Sequence, residues 1–493
     1  MPGLNGVPVG AAQSQSHDRA CYNCRRRRLR CDRSRPTCRK CWSTGSECLG
    51  YGTVLRWANA PAVRGKLVGQ LSVKRQQPQA KPTSTAADEA FLYVDHSLLD
   101  PLLRDLDRRA RRYVHHFATA VCQDLVSIDQ HDRNPFRIIV PLVREFDFLE
   151  PVIIATGAMH LAALNSSHGR PSRPELVDAL VAKDKAIRLL RSAVDSVTPA
   201  NQAMVLAATV FFINLDLIDS GKGEWQAHIE AACTLMLAQL RQNHGLDQSL
   251  MSLVDAIAAD CLTYQVLASA IGGFALTEHD LSDLFAVLKR AEAYSYHCCP
   301  PEILQILLSA SQLCSDQGPD DTRVETALSL LHQARSFDIV DWVYSIQGLS
   351  PHDDLNTRVS IALAHRASAC LYILLAVPEA APFPSAVDMA VQEVLGHLAE
   401  VPIDHVLLKG TMWPTFIVGA QTDDLAERAW CIERMQAVWA WNPWICPWGY
   451  IRTAVQMMRQ FWDARDREPG GKGKGKGNWL QELKGMREKC LIV

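Results

Sequence analysis

From about residue 89, apolar residues recur at intervals of three and four over most of the chain, the period of one face of an α-helix. Leu99, Leu102, Leu106, Ala110, Tyr113, Phe117, Val121 and Leu125 form the first such series and predict a helix with one apolar face. A second series starts at Pro174, suited to a first helical position, and runs through Leu176, Leu180, Ile187, Leu190 and Val194, with Lys183, Lys185 and Arg191 opposite. Strand-like alternation between glycine turns is scarce. The longest apolar run, Ala203 to Ile213, stops at Asn214 and Asp216, short of the roughly 20 residues a membrane span needs. The pattern predicts an all-α body of stacked helical pairs over residues 89–493.

Upstream the pattern is lost. Residues 1–18 are small and polar and read as a disordered tail without the apolar core of a signal peptide. Residues 53–88 contain Pro61, Pro78, Pro82 and the polar run QQPQAKPTSTAAD and read as a flexible basic linker; its prolines interrupt every possible heptad, which argues against a zipper-spaced dimer. Between them, residues 19–52 form a separate small module.

Charge and cysteine change the picture here. The whole chain carries a net charge of −2, yet residues 19–81 hold sixteen Lys and Arg against Asp32 and Glu47, a local +14 on an acidic remainder. Such asymmetry points to a polyanion-binding arm. Six of the sixteen cysteines fall in 28 residues, at 21, 24, 31, 38, 41 and 48, as two successive copies of C-x2-C-x6-C. In a reducing compartment closely spaced cysteines are more often metal ligands than disulfides. Two tetrahedral zinc ions need eight ligand positions, and six thiolates fill eight only if two of them bridge both metals; the repeat suggests equivalent cysteines of the two halves. With every position filled by sulfur there is no place for an activated water, so the zinc builds structure and catalyses nothing. A segment this short buries too little apolar surface to fold alone, so metal binding supplies most of its folding free energy.

The halves differ between their ligands: RRRRLR at 25–30, WSTGSE at 42–47. The residues after Cys24 are expected to form a short helix with Leu29 facing the metal core and Arg25, Arg27, Arg28 and Arg30 outward, fit for a DNA major groove. Arginine can pair two donors with guanine, while the remaining arginines, with Arg33, suit phosphates. An import signal or a solvated basic face is the competing reading of RRRRLR.

The block resembles the fungal Zn2Cys6 binuclear cluster domain, including Pro36 in the loop between the two halves. The resemblance implies two zinc ions with Cys21 and Cys38 bridging and Cys24, Cys31, Cys41 and Cys48 terminal. It also implies a CGG-like triplet read by the first half, with Arg27 and Arg28 at base-reading positions. LGYGTVLRW at 49–57, FFINLDLIDSGKGEWQAHIEAA at 211–232 and PWGYIRTAVQMMRQFW at 447–462 look like the segments beyond the cluster in this family, whose long helical domain is regulatory. By the same resemblance the chain is expected to be a nuclear transcription factor for RNA polymerase II genes, for instance a pathway-specific regulator of a metabolite gene cluster. Its partners would be double-stranded DNA and co-regulators, with no membrane, and it would act as a monomer or as a dimer through the helical domain. The alternative is a zinc-stabilised module for RNA or other anions without base reading.

Other motifs carry less. GGKGKGKG at 470–477 lacks the Ser or Thr of a phosphate loop and reads as a surface loop. His297, Cys298 and Cys299, and likewise His115 and His116, are expected to be structural. Trp439, Trp441, Trp444 and Trp448 are expected to pack terminal helices rather than to line an effector pocket. There is no H-E-x-x-H, G-x-S-x-G or dinucleotide-binding fingerprint, so no enzyme is expected.

Overall fold

The chain divides into two units, Met1–Val94 and Asp95–Val493. The computed structural model describes residues 20–34, 37–44, 48, 103–240, 248–272, 281–314, 320–440, 446–467, 479–486 and 489–493. The tail, the linker, Pro36, Leu99, Leu102, Trp441, Trp444 and GGKGKGKG lie outside the described residues.

The first unit contributes α1 (Tyr22–Arg27) and α2 (Arg39–Ser43). The second unit begins with α3 (Arg108–His116), α4 (Cys122–Asp124), α5 (Leu149–Ser167), α6 (Arg173–Val194), α7 (Gln202–Asp219), α8 (Trp225–Leu240), α9 (Gln248–Ala270), α10 (Leu281–Ala291) and α11 (Pro301–Leu313). Then come α12 (Asp320–Ser336), α13 (Ile339–Ser345), α14 (Leu355–Ala376), α15 (Ala386–Ala399), α16 (Met412–Gln421), α17 (Leu425–Ala440), α18 (Tyr450–Arg467) and α19 (Trp479–Gly485). No strand occurs among the described residues, so the body is all-α. Asp107, Asp338 and Asp354 each accept a first-turn N–H and so start α3, α13 and α14.

Consecutive helices pack as pairs, notably α5 with α6, α7 with α8 and α14 with α15, and α7 also touches α5, α9 and α18. Helix α7 is buried along its whole length from Gln202 to Ile218, which is why its apolar run has no polar face. It continues through Asn214 and Asp216, which are buried with partners: Tyr264 Oη donates to Asn214 at 2.9 Å and Lys183 Nζ to Asp216 at 2.8 Å. By length and composition α7, α9 and α14 could each cross a membrane, but most of each is buried within the body.

Two readings of periodicity need correction. The first series starts later than its spacing suggests: Asp107 starts α3, so that Leu103 and Leu106 precede it in a turn, and the helical run then continues through a π segment, Phe117–Val121, into α4. Within that π segment the Ala118 carbonyl accepts from Arg137 Nε at 2.7 Å, while Arg137 grips Asp129 with both Nη atoms at 2.7 Å. Tyr113, Phe117, Val121 and Leu125 are buried as the pattern requires. Their backbone lies so close to α5 that a Cβ on Gly157 would stand 2.3 Å from the Tyr113 carbonyl oxygen.

Helix α6 has the right bounds and the wrong face. Leu176, Leu180, Ile187 and Val194 are exposed, Leu180 at 52%, whereas Ala179, Ala182, Ala186 and Leu190 are buried. Lys183 is turned inward to Asp216 rather than outward. The small side chains permit the close approach to α5 that a leucine stripe would prevent.

Most of the described residues expected to be structural are so, whereas His115 is exposed. His297, Cys298 and Cys299 are buried, and Cys298 Sγ lies 3.2 Å from Nη1 of Arg358. His116 Nε2 lies 2.9 Å from His160 Nδ1, and His160 Nε2 lies 2.8 Å from Asp124, which also accepts from the indole N–H of Trp448 at 3.2 Å. Trp439 is half-buried under Arg452. The segment 489–493 closes the body: Leu491 N–H donates to Gly221 O at 2.8 Å, and Trp225 Nε1 to Lys489 O at 3.2 Å. Gly221 has a φ of +70°, and a Cβ there would meet Cys490 Sγ at 2.6 Å.

Candidate metal centre and nucleic-acid interface

The sequence repeat in the first unit is a structural repeat. Cys21 precedes α1 and its sulfur accepts from Cys24 N–H at 3.4 Å; Cys38 precedes α2 and accepts from Cys41 N–H at 3.4 Å. Each first cysteine thus caps the short helix that carries the second. Sulfur separations are 3.6 Å for Cys21 to Cys38, 3.8 Å for Cys21 to Cys41 and 3.7 Å for Cys24 to Cys38. Four sulfurs at about 2.3 Å from a tetrahedral zinc lie about 3.8 Å apart, so these separations fit the ion. The six sulfurs fall into two groups of four, Cys21, Cys24, Cys31, Cys38 and Cys21, Cys38, Cys41, Cys48, each within 4.8 Å. Cys21 and Cys38 belong to both groups and are completely buried.

Burial pushes the thiols of Cys21, Cys24 and Cys41 up, Cys24 to about 12. Burial also raises Cys31, but N–H groups of Cys21 and Arg33 outweigh it and bring that thiol to about 7. Cys21, Cys24 and Cys41 thus stay neutral unless a cation takes the protons' place, which is what the donor set suits.

The arginine segment is arranged differently from the expectation. Helix α1 begins at Tyr22, before Cys24, and ends at Arg27. Arg28 adopts the left-handed conformation, φ +55°, with its N–H on Arg25 O, and Leu29 N–H reaches Cys24 O at 2.9 Å. This is a Schellman ending. The reason is reach: a continued helix would carry Cys31 roughly 10 Å along the axis from Cys24, at about 1.5 Å per residue, and out of the sulfur group. Leu29 packs against the sulfurs as expected, though from the turn and not from the helix. Arg25 is half-buried, while Arg27, Arg28, Arg30 and Arg33 are exposed.

Sequence reasoning missed the loop that sets α2. Ser34 donates its hydroxyl to Asp32, which also accepts from Lys40 N–H at 3.4 Å, and Ser34 Oγ accepts from Arg39 N–H at 3.1 Å. The hydrogen bond from Ser34, with the backbone donors, holds the Asp32 carboxyl at about 2. A D-x-S stretch ahead of a helix start was the available signal. The second half presents Trp42, 79% exposed, where the first presents arginines.

The fungal Zn(2)-Cys(6) binuclear cluster domain matches residues 19–58, and the fungal specific transcription factor domain matches residues 112–492. The chain is 44% identical to the acriflavine sensitivity control protein acr-2 of Neurospora crassa over 98% of both chains. It is 21% identical to the phomenoic acid biosynthesis cluster-specific transcriptional regulator of Leptosphaeria maculans, over 86% of this chain and 82% of that one. Over a stretch of 48 residues it is 46% identical to the aspercryptin biosynthesis cluster-specific transcription regulator atnN of Emericella nidulans, 10% of this chain and 8% of that one. No solved structure matches. The sulfur groups fit the two zinc ions that such a cluster binds. With a zinc cluster at its start and a helical domain filling most of the rest, the chain belongs to the fungal Zn(2)-Cys(6) binuclear cluster transcription factors.

Proposed function

We propose that this transcription factor reads duplex DNA sequence-specifically through its first half-repeat, in control of genes transcribed by RNA polymerase II in the nucleus. Cys21 and Cys38 bridge the zinc ions, and Cys24, Cys31, Cys41 and Cys48 complete the two tetrahedra. Arg27 and Arg28 read base edges of a CGG-like triplet, and Arg25, Arg30 and Arg33 hold phosphates. The carrying observation is that Arg27, Arg28, Arg30 and Arg33, all exposed, sit within seven residues tied to the sulfur cluster through Cys24 and Cys31. The zinc fixes where the backbone turns, and the turn fixes where the guanidinium groups stand.

Binding-site selection from random duplexes with the zinc-loaded full chain should enrich one triplet motif; a pool without enrichment overturns the reading. One triplet would indicate a monomer, and two at fixed spacing a dimer formed through the helical body. The local charge of +14 would also attract RNA, so competition between the selected duplex and RNA at fixed salt separates base reading from polyanion binding. The names of the relatives support a pathway-specific regulator, and that of acr-2 makes acriflavine sensitivity the phenotype to score in a deletion strain. The helical body serves as the regulatory and co-regulator surface, without enzymatic activity.

A further inference from the structure

Three arginines are buried among the described residues, Arg358, Arg428 and Arg434. Arg358 pairs with Asp353 at 2.6 Å and Arg428 with Asp466 at 2.9 Å. Arg434, only 4% exposed, pairs with no carboxylate among the described residues. Its Nη2 donates to Val401 O at 3.0 Å, its guanidinium lies 5.0 Å over the ring of Trp430, and its Nε has no partner among the described residues. Burial lowers this guanidinium to about 10, the opposite of what a carboxylate neighbour would do.

The same residue borders a pocket of about 270 Å³ between the end of α15 and α17, lined further by Val401, Pro402, Ile403, Trp430 and Glu433. An indole face, a carbonyl and apolar walls compensate a buried cation only in part. The group that would complete it is an anion entering from the pocket. The walls want an apolar body, and the volume, just under the range of drug-sized sites, holds a compact one. Glu433, exposed, also lines the pocket, and its carboxylate disfavours multiply charged anions more strongly than a monoanion.

We propose that this pocket binds a small monocarboxylate with a compact aromatic or short aliphatic body, its carboxylate on Arg434 and its apolar part against Ile403, Pro402 and Trp430. The site lies in the helical body, and occupancy does not depend on how α1 meets DNA.

The test is a ligand-observed NMR titration of the full-length, zinc-loaded protein with benzoate and with hexanoate, with benzamide and inorganic phosphate as controls. At least one carboxylate should bind with a Kd on the order of a millimolar, the range open to a fragment of this size. Benzamide and phosphate should bind at least tenfold more weakly. Arg434→Met should weaken the carboxylate at least tenfold, and Ala399→Trp, which fills the pocket from an exposed lining position and leaves the cation in place, should do the same even where Arg434→Met fails to fold. Binding of neither carboxylate, equal binding of benzamide or phosphate, or full binding to the Ala399→Trp variant would overturn the proposal.

Discussion

Arg28 carries two duties that a substitution can separate. Its φ of +55° is unfavourable for any residue with a Cβ by roughly 1–2 kcal/mol, and glycine adopts it freely. Arg28→Gly should therefore keep the zinc and the turn while losing about 1–3 kcal/mol of discrimination between the selected site and random duplex. Arg33, also at positive φ (+60°), allows the matching experiment: Arg33→Gly should weaken binding to all duplexes alike and reduce the salt slope by about one. Zinc stoichiometry and binding isotherms on both DNAs measure this, and equal losses on both DNAs from both variants would refute the division of labour. The six cysteines were legible because spacing is itself geometry: a cap and a short helix follow from C-x2-C, and a return to the cluster follows from C-x6-C. The left-handed state of Arg28 was not legible, because nothing in a run of four arginines marks the one that turns.

At the scale of elements, α6 shows where periodicity stops informing. Its sequence offers a leucine and valine stripe and an alanine stripe, and hydrophobicity alone ranks the first as core. Packing chose the second, since α5 lies close enough that only small side chains fit between. Leu180→Glu should then change stability by less than about 0.5 kcal/mol, as an exposed substitution does. Ala186→Leu, at a fully buried position, should cost about 1–3 kcal/mol by overpacking. Denaturant midpoints measure both, and the reverse order would restore the leucine face to the core. Element type and the bounds of α6 were legible from period and from Pro174. The π segment between α3 and α4 was not, since it preserves the apolar face of Phe117 and Val121 while changing the hydrogen-bond ladder beneath it.

For the molecule as a whole, the two units should respond to different reagents. A chelator should release zinc from the first unit and leave the denaturation midpoint of the helical body unchanged; a shift of that midpoint would show that the units fold together. Acid should act on the body. Burial lowers His116 to about 3 and His365 to about 4, and drives His297 well below its ordinary value. A histidine depressed in the fold costs stability as pH falls below its unfolded value near 6.5, because only the unfolded chain takes the proton. Buried Asp260 works in the opposite sense, since burial raises its carboxyl and the fold holds its proton. His228 and His397 are depressed by burial as well, and Glu292 joins Asp260 on the other side, so the histidines outnumber the carboxyls and the body should lose stability between pH 7 and pH 5.5. Denaturation of the body at both pH values measures it, and equal stability would contradict the neutral burial of these rings. The hydrogen bonds of the segment 489–493 to Gly221 and Trp225, and of Trp448 to Asp124, join positions separated by up to 324 residues. A ribosome therefore releases almost the entire polypeptide before α7 has its last neighbours. A nonsense codon after residue 445 should yield an aggregation-prone product cleared by proteolysis, and not a shortened chain with a folded helical body.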